Sequence, residues 1–532
     1  MKLNKFYTIL LAGAIGLTTS CDIEPEIYSD VLQDDYYQTE KQFATLLANA
    51  YSQLAGERGY VYREGYWSMQ EYTSDAVIIP TRGTDWFDGG VPIKMHTHTW
   101  EPDTRDINNG WSFAYGGSAK CNDVLERIKD IKGNDPAAYD PVTIAGIAET
   151  KVLRAFYHLL AMDLYGNTTI DDGERAIRQY SRAEIYSWIE QEILTNIQDL
   201  RRKVNYGALT TPVAHAILAK LYLNAEVYTG VPQWQKAADA CDSIINGNYG
   251  YSLNADYFTA FKKDNTGNSE IIFPVVFDAK YANGNMFHLM TLHYTHQEAY
   301  GFTTATWNGP CTLKSFYDKY SDEPLDLRKK QWFVGPIQKD GKTLTYTIPE
   351  TKYTDDDGKE ITLPARRVDA IIVPEVTIIN DPTRTNTFEG ARFVKFEIEP
   401  GIEHHANSDF PIYRYADVLL MKAEALMQLN GGAATAEALA LVNQVHTRAG
   451  LPAYATAQLT LDELLDERGR ELAWEGHRRQ DLIRFGKFTN RIWDSGIKGI
   501  TSLTDSPNRI IFPIPQWVLD ANPGVYTQNE WR

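Results

Sequence analysis

Cysteine is scarce in this chain. Only four occur in 532 residues, at positions 21, 121, 241 and 311, and they are widely scattered. This spacing excludes a disulfide framework and does not match the ligand pattern of a zinc site. We expect Cys121, Cys241 and Cys311 to be buried hydrophobic side chains.

Positive charge is also in short supply. Lysine and arginine number 52 against 70 aspartates and glutamates, which gives a formal net charge of -18. An acidic chain repels phosphate backbones, so we expect no nucleic-acid partner. Aromatic residues are plentiful at 12%. They are typical of carbohydrate-contact and protein-contact surfaces, although a large core also uses many of them.

Long apolar runs are missing outside the N-terminus. There, Lys2 and Lys5 precede FYTILLAGAIGL and then TTSC. This pattern predicts a signal peptide over residues 1–20, with a run too short to span a membrane. The small residues before Cys21 predict lipidation of its thiol, although Thr18 stands where an aliphatic residue is usual. The alternative is a secreted protein with an incidental cysteine.

Catalytic motifs are lacking as well. The sequence has no phosphate loop, nucleophile elbow or dinucleotide fingerprint. His96 and His98 lie two residues apart like some metal ligands, but no third ligand follows at a suitable spacing. TDDDG at 354–358 lacks the glutamate of a calcium-binding EF-hand loop, so a hairpin turn is favoured. We therefore expect no metal, no cofactor and no enzymatic activity.

Helical periodicity dominates what is present. It predicts helices over several segments, at 120–130, 145–165, 182–201, 211–229, 232–246, 411–429, 434–448 and 460–484. Several form pairs joined by short turns. The clearest pair, Ala214 to Gly250, has the length and small residues of a tetratricopeptide unit. The fold class is thus mostly α, a tetratricopeptide-like scaffold of helix hairpins.

Two regions break this periodicity, at 59–117 and 251–410, and we predict loops with short strands in both. QKDGKTLTYTI from Gln338 and TDDDGKEITL from Thr354 predict β-hairpins with Asp-Gly turns. An acidic tether at 21–37 would lead into an N-terminal helical part at 38–250. A C-terminal part would follow at 251–532, with 251–410 as its loop-rich insert.

Several motifs then occur in a recognisable order along the chain. They are WSFAYGGSAKCNDVLERI from Trp111, LRAFYHLLAMDLYGNTTI from Leu153, SRAEIYSWIEQEI from Ser181, WNGPC from Trp307, GARFVKFEIEP from Gly390, YRYADVLLMKAEAL from Tyr413 and IFPIPQWVLDANPGVYTQN from Ile511. With these motifs and the lipoprotein cysteine, the chain resembles the SusD/RagB family of outer-membrane nutrient-binding lipoproteins of Bacteroidetes.

The resemblance implies a function that composition alone does not give. It implies a non-catalytic protein, anchored by lipid to the outer membrane and exposed at the cell surface. Such a protein binds oligosaccharides and delivers them to a SusC-like TonB-dependent transporter, against which its helical units pack. Family members also bind peptides or other nutrients, and a pure protein-docking scaffold fits the helical half equally well.

Sugars present flat C–H faces ringed by hydroxyl groups, so a binder needs aromatic platforms beside hydrogen-bonding side chains. The segment 74–106 offers such a mixture around three glycines. Its candidate glycan ligands are Asp75, Arg82, Trp86 and Trp100. Bracing of the loop from within is an equally good interpretation of Arg82 and Trp86.

The segment 281–311 offers a second mixture of the same kind, from a middle region that also contributes aromatics in the family. Its candidate glycan ligands are Tyr281, Tyr300, Trp307 and Asn308. Two or three stacked rings predict weak binding, with dissociation constants on the order of micromolar to millimolar.

The stretch ERGRELAWEGHRRQDLIRFGKF, from Glu467 to Phe488, has the densest charge in the chain. It has the appearance of a catalytic cluster. Arg468, however, shares a helical face with leucines, which predicts a buried guanidinium paired with Glu471, while Glu467 pairs with Arg470. Gly476 predicts a break in the helix. We therefore assign this stretch to the frame of the protein.

Overall fold

A computed structural model describes residues 40–56, 58–203, 206–354 and 357–532. Within it, residues 47–532 form one compact unit, and residues 40–46 belong to a separate one. The signal peptide, the lipidated Cys21 and the tether lie outside the described residues and stay predictions.

The α-helices, numbered in chain order, carry most of the regular structure. They are α1 Glu40–Tyr51, α2 Tyr66–Glu71, α3 Val91–His96, α4 Arg105–Lys132, α5 Pro141–Tyr165, α6 Arg182–Asn196, α7 Thr211–Leu223, α8 Ala225–Thr229, α9 Trp234–Ile245, α10 Phe287–Thr291, α11 His296–Tyr300, α12 Lys314–Tyr317, α13 Tyr415–Leu429, α14 Ala436–Arg448, α15 Leu461–Glu471, α16 Arg478–Arg484 and α17 Gln516–Ala521. In the part of the chain that the structure describes, none is long and apolar enough to cross a membrane.

The strands are short. They are β1 Thr81–Arg82, β2 Ile271–Val275, β3 Trp332–Phe333, β4 Gly335–Pro336, β5 Gln338–Lys339, β6 Lys342–Thr343, β7 Thr345–Ile348, β8 Thr351–Thr354, β9 Glu360–Leu363, β10 Arg366–Asp369, β11 Ile371–Ile372, β12 Asn380–Asp381, β13 Arg392–Phe393 and β14 Phe410–Arg414. Each pairs with a single partner, as in β2 with β14 and β1 with β12.

Antiparallel helix pairs build the frame. Helix α4 packs on α5 and α5 on α6, while α7, α9, α13 and α14 pack in succession. Small side chains at the contacts, such as Ala219, Ala238 and Ala423, are fully buried and let the helix axes approach closely. Side-chain caps begin several helices, including a capping box between Ser181 and Glu184 on α6. The predicted α-helical fold class is confirmed.

The two loop-rich regions contain more regular structure than the sequence indicates. Helix α4 already begins at Arg105, inside the predicted loop region 59–117. Both predicted hairpins form, β5 with β6 and β8 with β9. In the first, Asp340 and Gly341 both have positive φ, as a tight Asp-Gly hairpin turn requires. Strands β7 to β10 form a two-stranded ribbon over 345–369.

The charged stretch lies in the buried frame, as the periodicity predicts. Arg468 is fully buried, but its partners are Asp417 and Asp481, each at 2.9 Å, rather than Glu471. The predicted partner was wrong because helix packing places Asp417 of α13 and Asp481 of α16 beside Arg468. The pair between Glu467 and Arg470 forms at 2.8 Å.

The remaining frame predictions concern cysteine and histidine. Cys121, Cys241 and Cys311 are free thiols and buried, as expected. His96 and His98 are buried and bind the carboxylates of Asp494 at 2.8 Å and Asp505 at 2.6 Å. They are therefore core histidines that fix the loop after α3. Elsewhere in the described ranges, no three His, Cys, Asp or Glu side chains gather as a metal site requires.

Candidate glycan-binding site

The loop after β1 turns sharply before it presents an indole. Arg82 and Asp85 exchange two backbone hydrogen bonds of 3.2 Å each, and Gly83 between them has φ +71°. Trp86 follows in the left-handed region at φ 62°. Such a conformation costs a bulky residue about 1–2 kcal/mol, so the surrounding contacts must hold it in place.

Two tryptophans from opposite parts of the chain meet at the end of this turn. The Trp86 and Trp307 rings, here called the tryptophan pair, have centroids 6.4 Å apart at an angle of 46°. Trp86 Nε1 donates to the Trp307 carbonyl oxygen at 2.7 Å. Both rings are half-buried. A Cβ on Gly309 would lie only 2.2 Å from the Trp86 ring, so glycine is needed beneath it.

A guanidinium lies against both rings. The Arg63 guanidinium carbon is 5.4 Å from the centroid of each indole, which is within cation–π range. Its charge is balanced by Glu64 at 3.0 Å, and 30% of the Arg63 side chain is exposed. This combination of apolar rings and a donor that solvent can reach is suited to a ligand with both C–H faces and hydroxyl groups.

A buried polar lattice supports the pair from behind. Arg82 is 1% exposed and donates to the carbonyl oxygens of Asn308 at 2.7 Å and Glu389 at 3.0 Å. Asn308 is fully buried, accepts from Arg392 at 2.8 Å and donates to the Thr387 carbonyl at 3.0 Å. Arg82 and Asn308 are thus not ligand contacts, because their polar atoms are turned inward; the alternative that Arg82 braces the loop is correct.

Burial affects the charge of this lattice. Burial and the nearby charge of Arg82 lower the pKa of Arg392 to about 9. In the described chain, neither arginine forms an ion pair with a carboxylate; backbone carbonyls accept most of their hydrogen bonds, and the Asn308 side-chain oxygen accepts one from Arg392. The lattice therefore fixes the backbone of 307–309, and with it the direction in which Trp307 points.

A second aromatic pair continues the surface. Tyr294 donates from its hydroxyl to Asp85 Oδ2 at 2.5 Å, and Arg384 binds the same oxygen at 3.0 Å. Burial and the hydrogen bond to Asp85 raise the pKa of Tyr294, so its phenol stays protonated. Tyr346 on β7 stacks on Tyr294, with centroids 5.7 Å apart at 25°. A continuous band of rings and charges thus runs from Trp307 to the ribbon.

Two other predicted ligands belong to the core. Asp75 is 4% exposed and binds Arg478 through both oxygens at 2.7 and 2.8 Å. Burial alone would raise the pKa of Asp75, but this ion pair outweighs it and lowers the pKa. Trp100 is fully buried against Phe512, at 4.5 Å between centroids. Both predictions were wrong because long-range packing, invisible in the loop composition, covers these side chains.

The last two predicted ligands are accessible to solvent but do not pack against the tryptophan pair. Tyr281 is 79% exposed on a tight turn, beside Lys280 at 4.7 Å. Tyr300 is half-buried and stacks between His296 and Phe302. Neither ring contacts Trp86 or Trp307. Their role as ligands stays a prediction.

Arg63, Arg384, Tyr346 and Asp85 are further parts of the site that were not predicted from the sequence. These residues come from segments far apart in the chain, and no local pattern connects them. The positive φ of Trp86 could have been suspected from the glycine-rich sequence around it.

A cavity of about 870 Å³, which does not include the tryptophan pair, lies between α4, α5 and α6. The guanidinium of Arg154 in its wall is already bound to Asn122 at 2.7 Å and to Glu192 at 2.5 Å. Trp188, the indole in this wall, is only 9% exposed. The cavity therefore offers no open aromatic platform, and the tryptophan pair is the better candidate for a sugar-binding surface.

Comparison with known proteins assigns the fold. Residues 269–531 match the model of the SusD family. The starch-binding protein SusD of Bacteroides thetaiotaomicron is 26% identical over 420 residues, 74% of this chain and 73% of that protein. SusD-like protein P25 of Formosa agariphila is 24% identical over 527 residues, 95% of this chain and 94% of that protein. Residues 269–531 are thus a SusD-family region, and the chain is SusD-like over most of its length.

A solved structure agrees with this assignment. Surface glycan-binding protein A from Bacteroides thetaiotaomicron, in complex with laminarihexaose, is similar with a TM-score of 0.70 at 20% identity. The alignment covers 92% of this SusD-like chain and 99% of that chain. The predicted resemblance to the SusD family and the predicted fold are thus confirmed.

Proposed function

We propose that this SusD-like protein binds a glycan on the tryptophan pair. The observation that carries the proposal is the pairing of two half-exposed indoles, fixed by a buried lattice, beside the Arg63 guanidinium. Stacking of each ring on a sugar contributes about 0.5–1.5 kcal/mol beyond area burial. One relative named for binding starch and a similar solved structure with bound laminarihexaose support a glycan as the ligand.

We further propose that the protein is held at the outer membrane by a lipid on Cys21, facing the cell exterior. There it would deliver its glycan to a SusC-like TonB-dependent transporter. The N-terminal sequence and the family resemblance support this part of the proposal. Several acyl chains would anchor the protein durably, because each buried CH₂ contributes about 0.8 kcal/mol.

Native affinity electrophoresis with starch, laminarin and other polysaccharides tests the glycan proposal. We expect the purified protein to be retarded by at least one polysaccharide. Trp86→Ala and Trp307→Ala should each lower the affinity, as measured by the retardation, about tenfold without unfolding the protein. Trp517→Ala is the matched control, because that indole is 49% exposed and lies on α17.

Two other outcomes would redirect the assignment. Retention of peptides but of no polysaccharide would favour the peptide-binding alternative. Release of reducing sugar by the pure protein would indicate an enzyme.

A further inference from the structure

A pocket of about 500 Å³ opens on the far side of the second aromatic pair. Tyr294 and Tyr346 form one wall of this outer pocket, and α11 with the strand β5 forms the rest. Tyr294 is also the residue that binds Asp85, next to Trp86. Tyr294 and its hydrogen bond to Asp85 therefore connect the outer pocket to the turn that carries Trp86.

Several polar groups of the outer pocket are uncommitted, although Tyr294 and Thr345 already make hydrogen bonds. The Thr295 hydroxyl is buried without a hydrogen-bond partner. Gln297, Glu298 and Lys339 also line the pocket, and within the described chain their side chains make no hydrogen bond or ion pair. Beside the tryptophan pair, by contrast, the Asp85 carboxylate is already bound to Arg384 and Tyr294.

We propose that the outer pocket is a second sugar subsite, which receives a further unit of the chain that stacks on the tryptophan pair. This inference rests on the proposed function. The edges of Tyr294 and Tyr346 would guide the chain from the tryptophan pair to the outer pocket. Amide, carboxylate and ammonium groups at Gln297, Glu298 and Lys339 would then exchange water for sugar hydroxyls, as hydrogen bonds to charged groups favour.

The subsite predicts selectivity for chain length. A short oligosaccharide fills the tryptophan pair alone, whereas a longer one also reaches the outer pocket and gains affinity. The ribbon strand β7 carries Tyr346 and Thr345 of the pocket wall, so this selectivity originates in the loop-rich insert and not in the helical frame.

Isothermal titration with laminari- and malto-oligosaccharides of two to seven units tests the inference. The parent protein should bind longer chains about tenfold more tightly than short ones. The triple variant Gln297→Ala, Glu298→Gln, Lys339→Ala should keep the short-chain affinity and lose this gain. Each of these side chains lies at the surface, so the variant should fold.

The matched control is Lys342→Ala, Thr347→Ala, Glu360→Gln, three exposed changes on β6, β7 and β9 outside the pocket, which should behave like the parent. If the triple variant keeps the length dependence while Trp86→Ala abolishes binding, the subsite is wrong and the glycan function stands. An affinity that is equal for all lengths in the parent would also refute the subsite. If the parent binds neither laminari- nor malto-oligosaccharides, both the glycan-binding proposal and the subsite are refuted for glucans.

Discussion

The Trp86 indole nitrogen and the Trp307 backbone oxygen are joined by a hydrogen bond of 2.7 Å between residues 221 positions apart. This bond holds the two rings tilted at an angle of 46° to each other. The recognition surface is therefore set before a ligand arrives, and little conformational entropy is lost on binding.

Gly309→Ala should weaken glycan binding about tenfold or more. The new methyl group would lie 2.2 Å from the Trp86 ring and push the ring out of its orientation. Because the ring is half-exposed, it can move outward, and the melting temperature should change little. Gly116→Ala, whose Cβ would meet only Gln53 at 3.4 Å, is the control for glycine substitution. Unchanged affinity in Gly309→Ala would argue against a fixed Trp86 as the platform.

Substitution of Arg82 should lower the stability of the protein, whereas substitution of Arg63 should lower its affinity for glycans. Arg82→Met removes buried donors and leaves carbonyl oxygens unpaired, so the free energy of unfolding should fall by about 2–4 kcal/mol. Arg63→Met alters a partly exposed side chain and should leave stability nearly unchanged while it weakens glycan binding. Chemical denaturation and titration of both variants measure the two effects. If Arg82→Met instead weakened glycan binding without loss of stability, Arg82 would be a ligand contact.

How far the sequence predicts this protein depends on the range of the interactions. Helix periodicity and Asp-Gly turns are local signals, and the helices and both hairpins follow them. Trp86 and Trp307 were selected because tryptophan beside glycine and asparagine is a local signal too. Asp75 and Trp100 share that composition, yet Arg478 and Phe512 bury them. No local rule reports a contact made across several hundred residues.

Arg468 illustrates the same limit in the frame. Its burial is predicted by the leucines on its helical face, but its partners on α13 and α16 are set by helix packing. Arg468→Ala would leave Asp417 buried without its arginine partner and Asp481 with Arg484 alone, at a cost of about 3–5 kcal/mol. We expect a lower melting temperature and reduced soluble yield, with unchanged affinity in the folded fraction. Loss of affinity at full stability would contradict the structural role.

Glu71 should make the free energy of unfolding depend on pH between about 4.5 and 8. Burial raises its pKa to about 8, and one of its carboxyl oxygens lacks a partner. The folded state thus holds a proton that the unfolded state releases near pH 4.5. The contribution of this proton to the free energy of unfolding is complete below about pH 4.5 and declines as the pH rises to about 8.

Glu71→Gln keeps the acceptor for the Gly476 amide and removes the titration. Denaturation at pH 5 and pH 8 should show a smaller loss in Glu71→Gln than in the parent. Equal losses would place the titration elsewhere.

Cys21→Ala should release the protein from the membrane. If the thiol carries the lipid, the variant will appear in the soluble fraction after cell lysis, whereas the parent sediments with the outer membrane. Labelling with a radioactive fatty acid should mark the parent and not the variant. Membrane retention of an unlabelled Cys21→Ala protein would show that another element holds it there.

The carbonyl lattice behind the tryptophans has a consequence for the divergence of related chains. Arg82 and Arg392 grip main-chain oxygens, which every amino acid supplies. The side chains of the gripped loop at 386–390 are therefore free of that task. Within that loop Asn386 and Thr387 are buried and Gly390 has no room for a Cβ, so it is substitutions in the exposed ribbon beyond that can remodel the rim while the two indoles keep their places. New sugar preferences can thus arise at the margin of the site without rebuilding its centre.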